Sequence, residues 1–508
     1  MYELIPHEFL PEVISKQTEF RFPLRTALSE NSRLNLSEAT YSLADFNIPF
    51  TYEKYAKKPN AKVSTNLKWS NYTMNDEDRI RIERFFEKLI FLIRTKVLLN
   101  RGRLDATKLI WFYPSSMMTV RRNNLESIWQ RLFNKYISTL SSPIKLSESI
   151  APFYYFKNMG GISASDLPVA AIDIGGGTSD IVIYQNNKPV CLTSFRFATN
   201  SIFGDAFNGS PAINGFVKKY LSLYKNLLSD NNLYDLTAVM KEITEEQSSE
   251  DIIAFYFSLE NNKLIRDRNL QSNLSFNEKL ANDDDLKIVF LIFYSSIIYH
   301  LAKLMKTKEM KAPRYITFSG TGSKVISIID RGIDLNVLQN LTKLIFEKVF
   351  GEAVGNIELK QHPEPKEITC KGGLLSETNI DIEEIKTVLI GDLENTLIPR
   401  TTLDYTNINN EAKLKSIVDE VKTFLDLVFG LHTEFNLTNN FGVNPAKIED
   451  YKTILKEDLM QYLKSGLENK THELSNNTNI NVEEPLFFYP LVGALNKLAF
   501  KIVTQNNN

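Results

Sequence analysis

Apolar residues in the first third of the chain follow two different periods. Residues 76–100 carry apolar side chains at helical spacing, namely Ile80, Phe85, Leu89 and Leu92, which predicts an amphipathic helix. Residues 109–113 (LIWFY) form a short apolar run closed by Pro114, as expected of a buried strand, because proline cannot donate a ladder hydrogen bond. A second helix is predicted over residues 124–140. Helix, strand and helix in this order indicate an α/β layered fold.

The middle of the chain repeats this arrangement. Strands are predicted over residues 169–172, 181–185, 190–197 and 315–318. The mostly helical, polar region between the third and fourth of them is expected to be a subdomain inserted into the α/β core. The most apolar stretch, residues 288–302, is shorter than the roughly 20 residues that span a bilayer and contains serine and histidine. We therefore interpret it as a buried helix.

The last stretch, from about Ser376, is predicted to be mainly helical. Asn444 and Pro445 offer the start of a helix that carries Tyr451, Leu455, Leu459 and Tyr462 at helical spacing. A second apolar stripe consists of Leu414, Val418, Val421, Leu425 and Val428. We expect both stripes to pack on the core, and a partner-binding surface is the alternative.

Composition narrows the class of protein. With 508 residues, 43% of them hydrophobic, the chain can bury a sizeable core in two or more domains. Its formal charge of −2 supplies no positive field for nucleic acid. Two cysteines, Cys191 and Cys370, and five scattered histidines favour neither disulfides nor a metal cluster, and indicate a reducing cytoplasm. The first residues lack a signal-peptide pattern, so no export is predicted.

The candidate chemistry lies in AAIDIGGGTSDIVIY, residues 170–184, where three glycines separate two apolar runs. Gly175, Gly176 and Gly177 have no Cβ, so their backbone N–H groups can approach an anion together. Thr178 adds a hydroxyl, and Asp173 places a carboxylate at the end of the first strand, where it can hold a magnesium-bound water or an attacking water. A tight hairpin alone also favours glycine. The two common glycine-rich nucleotide motifs, of P-loop and dinucleotide-binding type, are missing.

These residues resemble the second phosphate-binding hairpin, D-x-G-G-G-T-x-D, of the superfamily of actin, DnaK-type heat-shock chaperones and sugar kinases. The positions that match are Asp173, Gly175, Gly176, Gly177, Thr178 and Asp180. The resemblance is nearest to the DnaK-type nucleotide-binding domain. It implies an actin-like, ribonuclease H-like, two-lobed α/β ATPase fold that binds ATP and magnesium in the cleft between its lobes.

Three further segments resemble elements of that family, in the expected order. LIWFYPSS, residues 109–116, resembles the chaperones' strand that ends in Val-Pro-Ala. LSESIAPFYYF, residues 146–156, is similar to the segment connecting the lobes and places Glu148 at the metal-side glutamate, which implies that Glu148, like Asp173, holds magnesium through water. ITFSGTGSKVISI, residues 316–328, resembles the adenosine element. The residues implied to line the adenosine are Gly320, Gly322, Ser323 and Lys324. Taken singly, Glu148 could cap a helix, Lys324 could be solvated and SGTGS could be an ordinary loop.

Departures from the family pattern are equally informative. The family's first phosphate hairpin, of the Asp-x-Gly-Thr type, has no counterpart, since Gly102 is the single glycine before Gly160. TEFRFPLRTALSE, residues 18–30, resembles the segment that follows that hairpin, so the sequence reads as starting just downstream of it. The chaperones' β-rich peptide-binding domain is missing too. Residues 366–375 and 487–499 both resemble the helix that closes the nucleotide domain, and the sequence does not decide between them.

The expected organisation is an incomplete first lobe (1–160), a second lobe (161–375) with a helical insertion at about 206–285, a helical insertion or extension (376–482), and a closing helix and tail (483–508). The leading hypothesis is an ATP-binding, weakly hydrolysing conformational switch with Asp173, Glu148 and Thr178 as catalytic residues. It would have a nucleotide and a protein as partners, without nucleic acid or a membrane span. The alternatives are an inactive scaffold that binds a protein partner, and a small-molecule kinase whose base could be Asp205 or Asp180. Filament formation like that of actin stays open.

Overall fold

In the computed structural model, the described residues are 26–31, 40–45, 61–64, 67, 76–117, 119–204, 210–246, 248–260, 262–330, 335–365, 367–376, 382–390, 396–397, 403–473 and 481–505. The chain divides into two compact units, Met1–Glu148 and Ser149–Asn508. Most of the segment predicted to follow a first phosphate hairpin, residues 18–25, lies outside the described residues.

The first unit combines an antiparallel sheet with a parallel strand pair. Its elements are β1 (Thr26–Asn31), β2 (Thr40–Asp45), β3 (Ala61–Ser64), α1 (Asp76–Leu99), β4 (Ile110–Tyr113), α2 (Thr119–Tyr136) and β5 (Ile144–Ser147). Strand β1 lies between β2 and β3, and β4 runs parallel to β5. A parallel pair requires a crossover, which α2 supplies. The predicted helix, strand and helix are confirmed, although α2 begins five residues earlier than expected.

A five-stranded sheet forms the centre of the second unit. It consists of β6 (Val169–Ile174), β7 (Ser179–Gln185), β8 (Lys188–Phe195), β9 (Tyr315–Ser319) and β10 (Glu358–Gln361), in the order β10-β9-β6-β7-β8. The first three strands are antiparallel neighbours, whereas β9 and β10 extend the sheet parallel to β6. This is the strand arrangement of the ribonuclease H-like sheet, so the second unit has the α/β sheet of the actin-like fold.

Helices surround this sheet, and most of them lie between β8 and β9 or after β10. They are α3 (Ala151–Met159), α4 (Thr199–Phe203), α5 (Gly215–Asp230), α6 (Tyr234–Glu246), α7 (Ser249–Leu259), α8 (Lys263–Asp267), α9 (Gln271–Leu274), α10 (Phe276–Ala281), α11 (Lys287–Thr307), α12 (Val325–Asp330), α13 (Asn336–Phe350), α14 (Glu367–Leu374), α15 (Glu411–Phe435), α16 (Leu437–Phe441), α17 (Ile448–Lys456), α18 (Leu459–Glu473) and α19 (Phe488–Gln505). Short strands β11 (Val388–Leu389) and β12 (Thr396–Leu397) pair with each other. The described residues between β8 and α11 are therefore mainly helical, as predicted.

The apolar helix α11 forms the core of the second unit. By length and composition it could cross a membrane, but 94% of its most apolar window is buried inside the protein, as in the core helix of a soluble protein. Its rings and aliphatic side chains pack under the sheet, where Tyr294 lies near Phe318 with ring centroids 6.2 Å apart. The structure agrees with the interpretation of this stretch as a buried helix.

Both segments that resemble the closing helix are helices, but they pack in different places. Helix α14 packs against α3, where a Cβ on Gly372 would lie 2.0 Å from the carbonyl oxygen of Ala151. Helix α19 packs against α5, where a Cβ on Gly215 would lie 2.3 Å from the carbonyl oxygen of Ala499. Only glycine allows such close helix approach at these two positions.

The two predicted C-terminal stripes are buried, apart from Tyr462, which is half-buried. All five residues of the stripe from Leu414 to Val428 lie in the buried face of α15. The stripe from Tyr451 to Tyr462 is divided between α17 and α18, because Glu457 is extended and Asp458 has a left-handed φ of 57°. Asn444 caps a short 3₁₀ turn, accepting from the N–H of Ala446, rather than the α-helix itself. The long helix expected from Pro445 onward is thus two helices.

Candidate functional site

The glycine turn joins β6 to β7 at the carboxyl end of β6. Asp173 lies directly opposite Asp180 across the hairpin, and the N–H of Gly175 donates to the carbonyl oxygen of Thr178 at 2.9 Å. Gly176 and Gly177 are exposed, while Thr178 is half-buried. Among the described residues, no protein group accepts from the N–H of Gly176 or Gly177. The turn therefore presents two neighbouring backbone donors to the exterior.

The carbonyl groups of the same two peptide units point toward helix α4. The oxygen of Gly175 accepts from the Thr199 hydroxyl at 3.0 Å, and the oxygen of Gly176 accepts from the N–H of Asn200 at 2.8 Å. In a trans peptide the C=O and the following N–H point in opposite directions. Because the carbonyls face α4, the N–H groups of Gly176 and Gly177 face away from it. This orientation is suited to binding an anion.

The SGTGS segment contacts the back of this turn. Strand β9 is parallel to β6 and ends beside it, and a 3₁₀ turn, Thr321–Lys324, follows. Gly320 has a φ of +78°, and a Cβ there would lie 2.4 Å from the oxygen of Ile174. A Cβ on Gly322 would lie 2.5 Å from the oxygen of Gly175. The fold thus brings together the predicted phosphate and adenosine elements at one edge of the sheet.

The remaining polar side chains of the SGTGS segment stabilise its own turn. The buried Ser323 hydroxyl donates to the oxygen of Gly320 at 2.8 Å, and the Gln361 side chain donates to the oxygen of Ser323 at 2.9 Å. Lys324 ends the 3₁₀ turn and is half-buried. The Gln361 side chain of β10 therefore also stabilises this turn.

The two aspartates of the motif lie in different environments. Asp173 is half-buried, and its Oδ2 accepts from the hydroxyl of Ser319, on β9, at 2.8 Å. Asp180 is 3% exposed and lies between Asp173 and Ser194 in the register of β7 with its neighbours. Asp173 is therefore the more accessible of the two carboxylates beside the glycine turn.

Glu148 belongs to the first unit and lies directly after β5. Its N–H donates to the oxygen of Tyr113 at 3.0 Å, and its side chain is half-buried. Immediately before it, the buried hydroxyls of Ser115 and Ser147 lie 2.9 Å apart. Strand β4, within LIWFYPSS, and strand β5, directly before Glu148, therefore run side by side in the first unit. Asp205, considered as a kinase base, lies outside the described residues.

Sequence reasoning missed the residues that fasten α4. At its carboxyl end, Asn496 of α19 donates to the oxygens of Ser201 and Ile202 at 2.8 and 3.0 Å. Asn214 donates to the oxygens of Phe203 and Gly204 at 2.7 and 2.6 Å. These contacts satisfy carbonyls that a helix end otherwise leaves without partners. The sequence feature that could have revealed Asn496 is its position as a single asparagine in the apolar run LVGALNKLA, since a buried polar residue needs a hydrogen-bonding partner.

At its other end, α4 is linked to the inserted helices. The Asn200 side chain donates to Glu250, in the first turn of α7, at 3.2 Å. The Asn200 side chain also lies close to the glycine turn, since a Cβ on Gly176 would be 3.2 Å from its Oδ1. Helix α4 therefore connects the glycine turn to α7, α5 and α19.

No protein-family model and no curated protein matches the sequence. Similar solved structures include MreB5 of Spiroplasma citri bound to AMPPNP, with 14% identity, a TM-score of 0.34 and coverage of 69% of this chain and 87% of that one. MreB5 bound to ADP has 15% identity, a TM-score of 0.32 and coverage of 69% and 88%. A non-polymerising mutant of MamK bound to AMPPNP has 13% identity, a TM-score of 0.37 and coverage of 69% and 90%. The fold of this chain is assigned from its own strand order.

Proposed function

We propose that this protein binds ATP through the glycine turn and the SGTGS segment and uses the nucleotide as a conformational switch. The observation that supports this most strongly is the contact between two elements that lie 146 positions apart, bridged by the hydrogen bond of Ser319 to Asp173. A simple hairpin would need neither the close approach of Gly322 nor a carboxylate held beside the turn.

The N–H groups of Gly176 and Gly177, with the hydroxyl of Thr178, would hold a terminal phosphate. These donors lie on the side of the turn away from α4, and a Cβ on Gly177 would meet nothing within 4 Å. The 3₁₀ turn that contains Gly322 and Lys324 would line the adenosine. Ligands of open α/β sheets bind at this carboxyl edge of the strands.

Bound magnesium would neutralise part of the negative charge of the phosphates. Among the described residues there is no cluster of three or more His, Cys, Asp or Glu side chains that could hold a metal ion. Such a cluster is unnecessary, because magnesium keeps several waters and is often held by one or two carboxylates together with substrate phosphates. Asp173 is suited to that role within the second unit, and the same role for Glu148 stays a prediction from the sequence. We expect slow hydrolysis and a cytoplasmic location.

Helix α4 connects the proposed nucleotide site to the rest of the second unit. A change in the hydrogen bonding of the glycine turn alters the anchoring of Thr199 and Asn200, and α4 is fastened to α5, α7 and α19. A switch requires an element with two arrangements that the ligand biases. A protein partner that contacts these helices would sense the state of the nucleotide.

Calorimetric titration of the full chain with Mg-ATP tests the proposal. Gly177→Ala is expected to weaken binding at least about tenfold, because the new Cβ occupies the open side of the turn through which the amides would approach a ligand. The thermal midpoint should stay unchanged, since the Cβ has space. Gly355→Ala is the matched control, because its Cβ also meets nothing within 4 Å.

Three outcomes separate the candidate functions. If the wild type binds no nucleotide, the proposal is wrong and the scaffold alternative replaces it. If Gly177→Ala binds as tightly as Gly355→Ala, the glycine turn is not the site. Phosphate transfer to a sugar or acid in a screen of acceptors, exceeding hydrolysis by water, would favour the kinase.

A further inference from the structure

A polar row crosses the sheet beside the glycine turn. In the register of four neighbouring strands, Ser194, Asp180, Asp173 and Ser319 lie next to one another. Directly opposite residues on paired strands project to the same face of a sheet. Asp173 is the most accessible member of this row, since the other three residues are buried.

Ser319 fixes one oxygen of the Asp173 carboxylate. Its hydroxyl donates to Oδ2 at 2.8 Å, and Ser319 itself is only 2% exposed. A buried hydroxyl on a central strand has little freedom to move, so the hydrogen bond sets the direction of the carboxylate. Hydrogen bonds to a charged acceptor are also stronger than neutral ones.

Gly320 makes space for the other oxygen. A Cβ at position 320 would lie 2.6 Å from Oδ1 of Asp173, closer than any side-chain carbon can approach. One residue therefore holds the carboxylate by a hydrogen bond, and the next accommodates it by lacking a side chain. The sequence Ser-Gly at 319–320 is matched to the aspartate on the neighbouring strand.

We propose that Ser319 is a positioning residue, which orients the Asp173 carboxylate toward magnesium-bound water at the nucleotide site. The inference rests on the proposed function and adds a residue outside the motif D-x-G-G-G-T-x-D. Groups that hold a metal-side carboxylate from behind fix its orientation, and their loss typically costs about 10- to 100-fold in metal affinity or activity.

Strand β9 also contains a matched control for the removal of the Ser319 hydroxyl. Thr317 precedes Ser319 by two residues on β9 and therefore projects to the same face. It is 1% exposed, and its hydroxyl has no hydrogen-bond partner among the described residues. Ser319→Ala and Thr317→Val thus each remove one buried hydroxyl from the same strand, but only the first removes a bond to Asp173.

The test is binding of a fluorescent ATP analogue to the full chain over a series of MgCl₂ concentrations. For Ser319→Ala, the magnesium concentration at half-maximal binding should rise about tenfold. Thr317→Val should leave this magnesium concentration unchanged, and Ser319→Thr, which retains the hydroxyl, should keep it near the wild-type value. Asp173→Asn, which removes the charge, should abolish most of the magnesium dependence.

The experiment distinguishes failure of the proposed function from failure of the positioning role of Ser319. If the wild type does not bind the analogue, the proposed function itself fails. If the wild type binds and Asp173→Asn alters the magnesium dependence while Ser319→Ala behaves like Thr317→Val, the positioning role of Ser319 is refuted and ATP binding stands. Equal shifts for Ser319→Ala and Thr317→Val would indicate general loosening of β9 and would also refute it.

Discussion

The burial of His300 predicts that the second unit loses stability in mild acid. The residue lies in the middle of α11, 2% exposed, with the rings of Phe195, Phe487 and Phe488 at centroid distances of 5.6, 6.2 and 5.0 Å. Its Nε2 has no hydrogen-bond partner among the described residues. Burial in this aromatic environment lowers the pKa of His300 from 6.5 to about 3.

The sign of the effect follows from proton binding. The pKa of His300 is lower in the folded state, so below pH 6.5 the unfolded chain binds a proton that the folded protein does not. The contribution to the free energy of unfolding is complete above pH 6.5 and is lost as the pH falls toward about 3. The slope approaches about 1.4 kcal/mol per pH unit, so a change from neutral pH to pH 5 costs about 2 kcal/mol through this residue.

Urea unfolding at pH 7.5 and pH 5.0 measures this contribution. His300→Phe keeps an aromatic ring and removes the titration, so its loss of stability between the two pH values should be about 2 kcal/mol smaller than that of the wild type. His472→Gln, at an exposed position of α18, is the control and should resemble the wild type. Equal pH dependence in His300→Phe and the wild type would refute the reasoning.

Two further changes test the packing around the glycine turn. Gly322→Ala should lower the free energy of unfolding by about 1–3 kcal/mol and also weaken Mg-ATP binding, because its Cβ would lie 2.5 Å from the oxygen of Gly175. The control Gly355→Ala should change neither quantity. An unchanged thermal midpoint for Gly322→Ala would contradict the close contact. Asn496→Ala should lower the free energy of unfolding by about 1–3 kcal/mol, because one buried and one partly buried carbonyl oxygen of α4 lose their donor. The exposed Lys501→Ala in the same helix is its control, and equal urea midpoints for the two variants would show that Asn496 does not secure α4.

Local patterns were sufficient to predict most of the secondary structure. Strands β6, β7 and β9 lie within one or two residues of their predicted bounds, because each is a short apolar run ended by glycine, proline or a polar residue. The glycine turn was predictable for the same reason, since its chemistry is contained in consecutive residues. The break between α17 and α18 was not, because the apolar spacing continues through it while the backbone leaves the helical region at Glu457 and Asp458.

The sequence by itself determined the α/β class, the buried helix α11 and the motif from Asp173 to Asp180, since all three depend on residues that are close along the chain. The tertiary structure alone decided how distant residues combine. It placed Ser319 against Asp173, Gly322 against the oxygen of Gly175, and Asn496 against α4. It also placed α14 on α3 and α19 on α5, although both helices resemble the same family element. The physical reason is that hydrogen bonds and close backbone contacts depend on strand register and helix packing, which leave no periodic pattern in the sequence.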